Sequence, residues 1–491
     1  MINKAHHLDS RVRVSGVAVD SIALIWAIFG FMLVLLNGAA DWLATVGVLM
    51  LAQAFTGRMA WKRFKLIKSA LFPDFLSLLL LYQFGSKLLT MFGLILRSTS
   101  EDLGTVSETL KLFETVPVNY QFQAELVFLL ATIIFASVWR LQERKSIAAV
   151  WQEPTAKAAW SAYAIGLIGY FGLAGIVAGA ALSMVQELLR LFAIGALAAL
   201  LAGSTAYALG KPRGWMPIVA LSPLLLLALR SGMKAEVALI FFPLLIPIIR
   251  RISARRFGFI VAFLVFTLLF IYPFSEAWRT ANWKSWGGVE QRETVLEVAA
   301  IVADLWASDG IVETAYSSSA KWLSRGSSSE QGGLVMSLAE RDGFIGPILI
   351  EGLVTIFVPR FLWPDKPTYA PGAWFTWYLG NAESPETATT STAMMLPTEL
   401  YWMFGVSGVV IGIGLMAVLY FNVWNFLVKK SRKSIIPLLA LFVMLARSSG
   451  LEEIHTIYAI SSPVILVFYV LIFSLIMKFV TAWKRKQMPS K

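Results

Sequence analysis

The feature that most constrains this chain is a near-continuous series of apolar runs broken by one long loop. Runs near residues 18–37, 40–57, 71–97, 123–139, 159–182, 190–209, 216–230, 235–249 and 257–274 precede the loop, and 403–425, 435–449 and 456–479 follow it. A hydrocarbon core about 30 Å thick needs roughly 20 apolar residues of helix. Ile22–Leu36 and Phe257–Phe274 approach that length without a single charge, and Leu76–Leu96 is interrupted only by Lys87. The chain is 57% hydrophobic and 15% charged, against about 25% charged in soluble domains. The pattern predicts an all-α polytopic membrane protein of about twelve transmembrane helices. It excludes a β-barrel, whose strands alternate apolar and polar residues.

The first run has no small-residue cleavage site after it, so it reads as an uncleaved helix rather than a signal peptide. With no cysteine in the chain, disulfides, thiol catalysis and thiolate metal sites are excluded. The net charge of +12 does not indicate nucleic acid, because the basic residues flank apolar runs. Basic connectors occur at 58–68, 140–157, 211–213, 250–256 and 429–433 and in the tail at 484–486. Lys and Arg are retained on the cytoplasmic side. Their alternation with short or acidic connectors therefore predicts an inner-membrane, multi-pass chain with both termini cytoplasmic.

On that topology the loop faces outward. It carries fifteen acidic and eight basic residues between 275 and 400. The predicted organisation is an N-terminal membrane bundle of about nine spans over 1–274, a large periplasmic loop over 275–402, and C-terminal spans with a cytoplasmic tail over 403–491. Glu293–Trp306 has helical apolar spacing, whereas Ser317–Ser319, Ser327–Ser329, Gly326, Gly332 and Gly333 read as loop, and Thr387–Thr392 as a polar linker. Phe344–Trp363 is apolar but contains Glu351, Pro347 and Arg360. A mid-membrane charge costs about 2.5–3.5 kcal/mol on insertion scales, so the segment reads as a re-entrant or surface-lying amphipathic helix. Pro364 and Pro367 restrict the backbone that follows it.

Outer-face cations run against the positive-inside bias and so need another reason to be there. Arg230, Arg279, Arg325, Arg341, Arg360, Lys366 and Arg447 are the candidate ligands for a diphosphate, since guanidinium groups grip phosphate oxygens in pairs and keep their charge when partly buried. An ion pair with a neighbouring acid is the competing role for each. His455 stands beside Glu452 and Glu453 and is a candidate acid–base group, or else a polar anchor. Glu340 and Glu351 are further candidate bases. No His/Asp/Glu cluster has metal-ligand spacing, no phosphate-binding glycine loop occurs, and nothing calls for a cofactor.

The late outer loop, with Arg341-Asp-Gly-Phe-Ile-Gly-Pro347 and Pro359-Arg-Phe-Leu-Trp-Pro-Asp-Lys-Pro367, resembles the Wzy-type polysaccharide polymerases, the O-antigen or oligosaccharide repeat-unit polymerase family. Motif-level similarity is confined to about residues 320–370. The resemblance implies a GT-C-like, metal-independent membrane glycosyltransferase without cofactor. It would join undecaprenyl-diphosphate-linked oligosaccharide repeats at the periplasmic face and rely on outer arginines. Membrane lipids are implied partners, with a flippase and a chain-length regulator as candidates; nucleic acid is not. Two alternatives stay open. The related O-antigen ligases pair outer arginines with a histidine and transfer glycan to another acceptor. A lipid-linked oligosaccharide flippase or other transporter is the second, though it has little need of such a loop. Loop aromatics, Trp306, Trp322, Trp363, Trp374, Trp377 and Tyr378, are candidates for stacking on sugar rings or for interfacial anchoring.

Overall fold

The computed structural model describes residues 41–69, most of 75–90, 116–145, 273–274, 277, 295–311, 314, 328–353, 370–388, 392, 394–430 and 455–461, with single positions at 358, 363, 444, 463, 464, 467, 471 and 475. The predicted runs at 18–37, 159–182, 190–209, 216–230 and 235–249 lie outside these residues. Among the described residues all regular structure is helical. The elements are α1 (Asp41–Ser69), α2 (Val118–Lys145), α3 (Val295–Asp309), α4 (Ser328–Asp342), a 3-10 turn (Gly346–Leu349), α5 (Pro371–Tyr378) and α6 (Leu396–Lys430). Two of them contain stretches long and apolar enough to cross a membrane, Val118–Glu143 and Leu396–Leu427.

The 28 residues of α2 span about 42 Å at 1.5 Å per residue, and every other major element except α3 packs on it or on α6. Residues 75–90 are helical where described and run antiparallel to α2. Phe75 meets Phe135 and Trp139, with ring centroids 6.3 and 5.6 Å apart, while Lys87 reaches Glu125 near the other end. Arg63 of α1 forks onto both oxygens of Glu143 and also meets Ser77, while Gly57 faces Phe84, so α1 is antiparallel to 75–90 and runs in the same direction as α2. Tyr420 and Phe421 of α6 join the same aromatic cluster, at 5.2 Å from Phe75 and Trp139 respectively. The connector predicted at 58–68 is thus the last part of α1, with its charges carried on helix.

The Ser/Gly-rich stretch expected to be loop is instead helix from Ser328 onward. A Cβ on Gly332 would come within 2.9 Å of Ala124 and 2.8 Å of Phe128; one on Gly333 would lie 2.9 Å from the backbone nitrogen of Gln121. These glycines are there to bring the α4 and α2 backbones together, and this packing outweighs the roughly 1 kcal/mol that a glycine costs in a helix. Gly326 and Ser327 lie outside the described residues. Of the helix expected at Glu293–Trp306, the part from Val295 is present within α3, and residues 293–294 lie outside the described residues. The segment after Phe344 begins as a 3-10 turn followed by a turn to Gly352, and Leu353 is helical; residues 354–357 and 359–362 lie outside the described set.

Helix α6 is not one rod. Gly405 has φ 66° and ψ −158°, a combination open essentially to glycine alone. The arm before it folds back along the arm after it: Leu400 lies against Gly408 and Gly412, eight and twelve residues on. Phe344 covers the outside of this bend, 3.1 Å from where a Gly405 Cβ would be, and the Ile345 amide donates to the Trp402 carbonyl at 3.1 Å. The loop boundary expected at residue 402 falls within this helix.

Candidate functional site

The folded-back arm Leu396–Phe404 places a carboxylate where solvent cannot reach it. Pro397 occupies its first turn, where a missing N–H is tolerated, and Thr398 closes that turn by donating to the Met394 carbonyl at 2.6 Å. Glu399 follows, near the positive end of the helix dipole, which favours a negative charge. Its side chain is wholly buried. A buried carboxylate is stable only when its oxygens are hydrogen-bonded, and both are. Oε2 lies 2.9 Å from His455 Nδ1, and Oε1 accepts the Thr456 amide at 3.2 Å.

This geometry assigns the imidazole a role for each nitrogen. Against an ionised carboxylate, which only accepts, Nδ1 is the donating nitrogen. Nε2 then presents a lone pair and has no hydrogen-bond partner among the described residues. A histidine held this way by a carboxylate can accept a proton from an incoming hydroxyl while its partner stabilises the imidazolium. Two polar atoms close by along the chain are buried and have no partner among the described residues, Thr456 Oγ1 and Trp402 Nε1. Such atoms are rare in folded chains and are usually met by water or ligand.

Trp402 stands one turn after Glu399 and links the dyad to the loop. Its ring is 5.1 Å from Tyr378 and 6.0 Å from Trp374. The Tyr378 hydroxyl donates to Asp342 Oδ2 at 2.7 Å, and Asp342 is gripped by Arg341 through Nε and Nη2, both at 2.7 Å. These bonds, Arg341 first and Tyr378 second, hold the Asp342 carboxyl below its ordinary range. The Arg341 guanidinium is pushed up by the same partner. Burial, then the bond to Asp342, pushes the Tyr378 phenol up.

A second buried polar cluster joins α4 to the bundle. Lys87 Nζ is 2.8 Å from Glu125 Oε2 and 3.4 Å from Ser328 Oγ, and Ser329 donates to Glu125 Oε1 at 2.6 Å.

Of the residues singled out by sequence, His455 is buried against Glu399, while Arg341 is exposed and paired with Asp342. Glu340 and Glu351 are exposed, and neither is hydrogen-bonded to His455. Arg230, Arg279, Arg325, Arg360, Lys366 and Arg447 lie outside the described residues. Sequence reasoning missed Glu399 and Asp342. Glu399 sits 56 positions from its histidine, and its one legible signal is a lone acid ahead of an aromatic-rich apolar run. Among the described residues no group of three or more His, Asp or Glu is placed to hold a metal ion.

No protein-family model, curated protein or solved structure matches this chain.

Proposed function

We propose that this chain is a Wzy-type polysaccharide polymerase, a multi-pass inner-membrane glycosyltransferase that joins undecaprenyl-diphosphate-linked oligosaccharide repeats at the periplasmic face. The observation that carries the reading is the buried His455–Glu399 pair, with no hydrogen-bond partner for Nε2 among the described residues. In the reaction, a hydroxyl of the incoming repeat attacks the anomeric carbon of the growing chain. Its proton passes to His455 Nε2, the anomeric C–O bond to phosphate breaks, and the lipid diphosphate leaves with the electron pair. Glu399 holds the required tautomer and stabilises the imidazolium. A positioned general base of this kind contributes about 10²–10⁴-fold.

The outer cations Arg230, Arg279, Arg325, Arg360, Lys366 and Arg447 would grip the diphosphate more tightly as charge develops on it. The topology draws support from the described bundle. Arg63, Arg140 and Lys429 lie toward the C-terminal ends of α1, α2 and α6, which meet through Arg63–Glu143 and Trp139–Phe421. Helix α4 packs at the other end of α2, as expected if the cationic end faces the cytoplasm. With about twelve spans, both termini are then cytoplasmic.

The test is extension of a purified lipid-linked repeat by the full chain. Wild type yields a ladder; His455→Ala and Glu399→Gln, checked for native melting, yield none or a trace. A full ladder from folded His455→Ala would remove the dyad from the chemistry. The ligase-like reading uses the same histidine, and it is favoured instead if glycan moves only to a non-polyprenyl acceptor.

A further inference from the structure

Helix α5 begins at Pro371, whose ring suits a first helical turn. It places Trp374, Trp377 and Tyr378 at i, i+3 and i+4, on one face. Trp374 and Tyr378 stack at 5.1 Å with 27° between planes, and Trp377 stands at 61° to Trp374, 6.4 Å away. The result is an aromatic corner rather than three scattered rings. Trp402 supports it from beneath and is itself wholly buried, whereas Trp377 is 39% exposed. The rim of the corner is polar: the Tyr378 hydroxyl, Asp342 and Arg341 form one hydrogen-bonded row.

We infer that this corner is a carbohydrate subsite, in which Trp377 packs on the apolar C–H face of a neutral sugar ring and the Asp342–Arg341–Tyr378 row binds its hydroxyls. Apolar aromatic surface with a few fixed polar groups is the general form of a small-molecule site. Charge decides the ligand class. Arg341 has committed Nε and Nη2 to Asp342, so the row carries no net charge, and an incoming phosphate would meet a carboxylate. That argues against diphosphate at Arg341 and for a ligand that both donates and accepts, as a vicinal diol does. The carboxylate accepts from one hydroxyl while the remaining guanidinium N–H groups donate to its neighbour. Trp402, on whose ring the corner rests, stands one turn after Glu399, so a glycan seated here would start beside the helix arm that carries the carboxylate.

The glycan's role rests on the transfer reading, but the binding chemistry does not, so the two fail separately: binding is read without any chain extension. The experiment is saturation-transfer NMR on the purified full chain in a non-glycosidic detergent. The probes are methyl glycosides of neutral hexoses, deoxyhexoses and N-acetylhexosamines. Transfer to ring C–H protons is expected in wild type. It should fall about tenfold, the loss of one charge-assisted hydrogen bond, in Asp342→Asn and in Tyr378→Phe, which keeps the ring stack. Trp377→Ala should lose it altogether. The inference is overturned by no transfer to any glycoside, or by undiminished transfer in Trp377→Ala and Asp342→Asn. It is equally overturned if brominated lipid quenches wild-type fluorescence more than that of Trp377→Phe, which would place the ring in the bilayer as an anchor.

Discussion

Replacing Lys87 with methionine leaves Glu125 as a charge enclosed by protein. The two side chains are 3% and 0% exposed, so water cannot compensate. Lys87 also sits 4.3 Å over the Phe128 ring, a contact that methionine keeps in apolar form. Breaking a buried pair from one side costs about 3–5 kcal/mol, whereas replacing both partners by apolar groups of similar size is often neutral. Ser329 still donates to Glu125 at 2.6 Å, and a bond to a charged acceptor contributes about 1.5–3 kcal/mol. Lys87→Met should therefore fall at the low end, about 3 kcal/mol. The double variant Lys87→Met/Glu125→Met should recover to within about 1 kcal/mol of wild type, the residual being the Ser329 hydroxyl that loses its Glu125 acceptor. The assay is reversible unfolding in mixed micelles followed by helical circular dichroism, for wild type, both singles and the double. A Lys87→Met effect below about 0.5 kcal/mol, or a double variant equal to the sum of the singles, would refute the reasoning, since contacting residues must couple.

Four further substitutions have outcomes set by their immediate surroundings. Gly333→Ala should destabilise by about 1–3 kcal/mol through overpacking, because its Cβ meets the Gln121 backbone at 2.9 Å. Gly414→Ala, with nothing within 4 Å, should be neutral or stabilising by up to about 1 kcal/mol; thermal unfolding in detergent compares the two. Gly405→Ala should cost about 1–3 kcal/mol of backbone strain and, by displacing the arm that carries Glu399, should reduce extension; an unchanged melting profile would contradict the folded-back arm. Asp342, held low in the fold by Arg341 and Tyr378, binds fewer protons folded than unfolded. Its contribution is full above the unfolded value near pH 3.9 and is lost as pH falls through the folded value. Asp342→Asn should accordingly flatten the acid limb of a melting-point titration, with a small effect because the pair is largely exposed.

The long helices were legible because composition alone decides them. The run at 123–139 lies within α2, and the part of Glu293–Trp306 from Val295 onward lies within α3. Lys87 could be recognised as a charge in an apolar run, but its partner could not, since pairing across 38 positions depends on the antiparallel return of the chain. The same limit hid Glu399, which became visible as a partner only once Gly405 had folded its arm back. The glycines at 332 and 333 misled for a different reason. Glycine signals turn when read along the chain and close approach when read between helices, and only the Gln121, Ala124 and Phe128 contacts distinguish the two. His455 was singled out as a lone outer-end histidine, and Arg341 as an outer cation. In the fold one is buried and oriented; the other is exposed and neutralised.

The central claim is that this chain extends lipid-linked glycan, and lipid mass spectrometry on a strain lacking the gene, with and without the restored gene, tests it most directly. The account predicts that loss leaves a single repeat on undecaprenyl diphosphate, outward-facing, and no long chains, and that restored His455→Ala behaves like the deletion. Full-length polymer retained on that lipid, an inward-facing pool of repeats, or no change at all would contradict it.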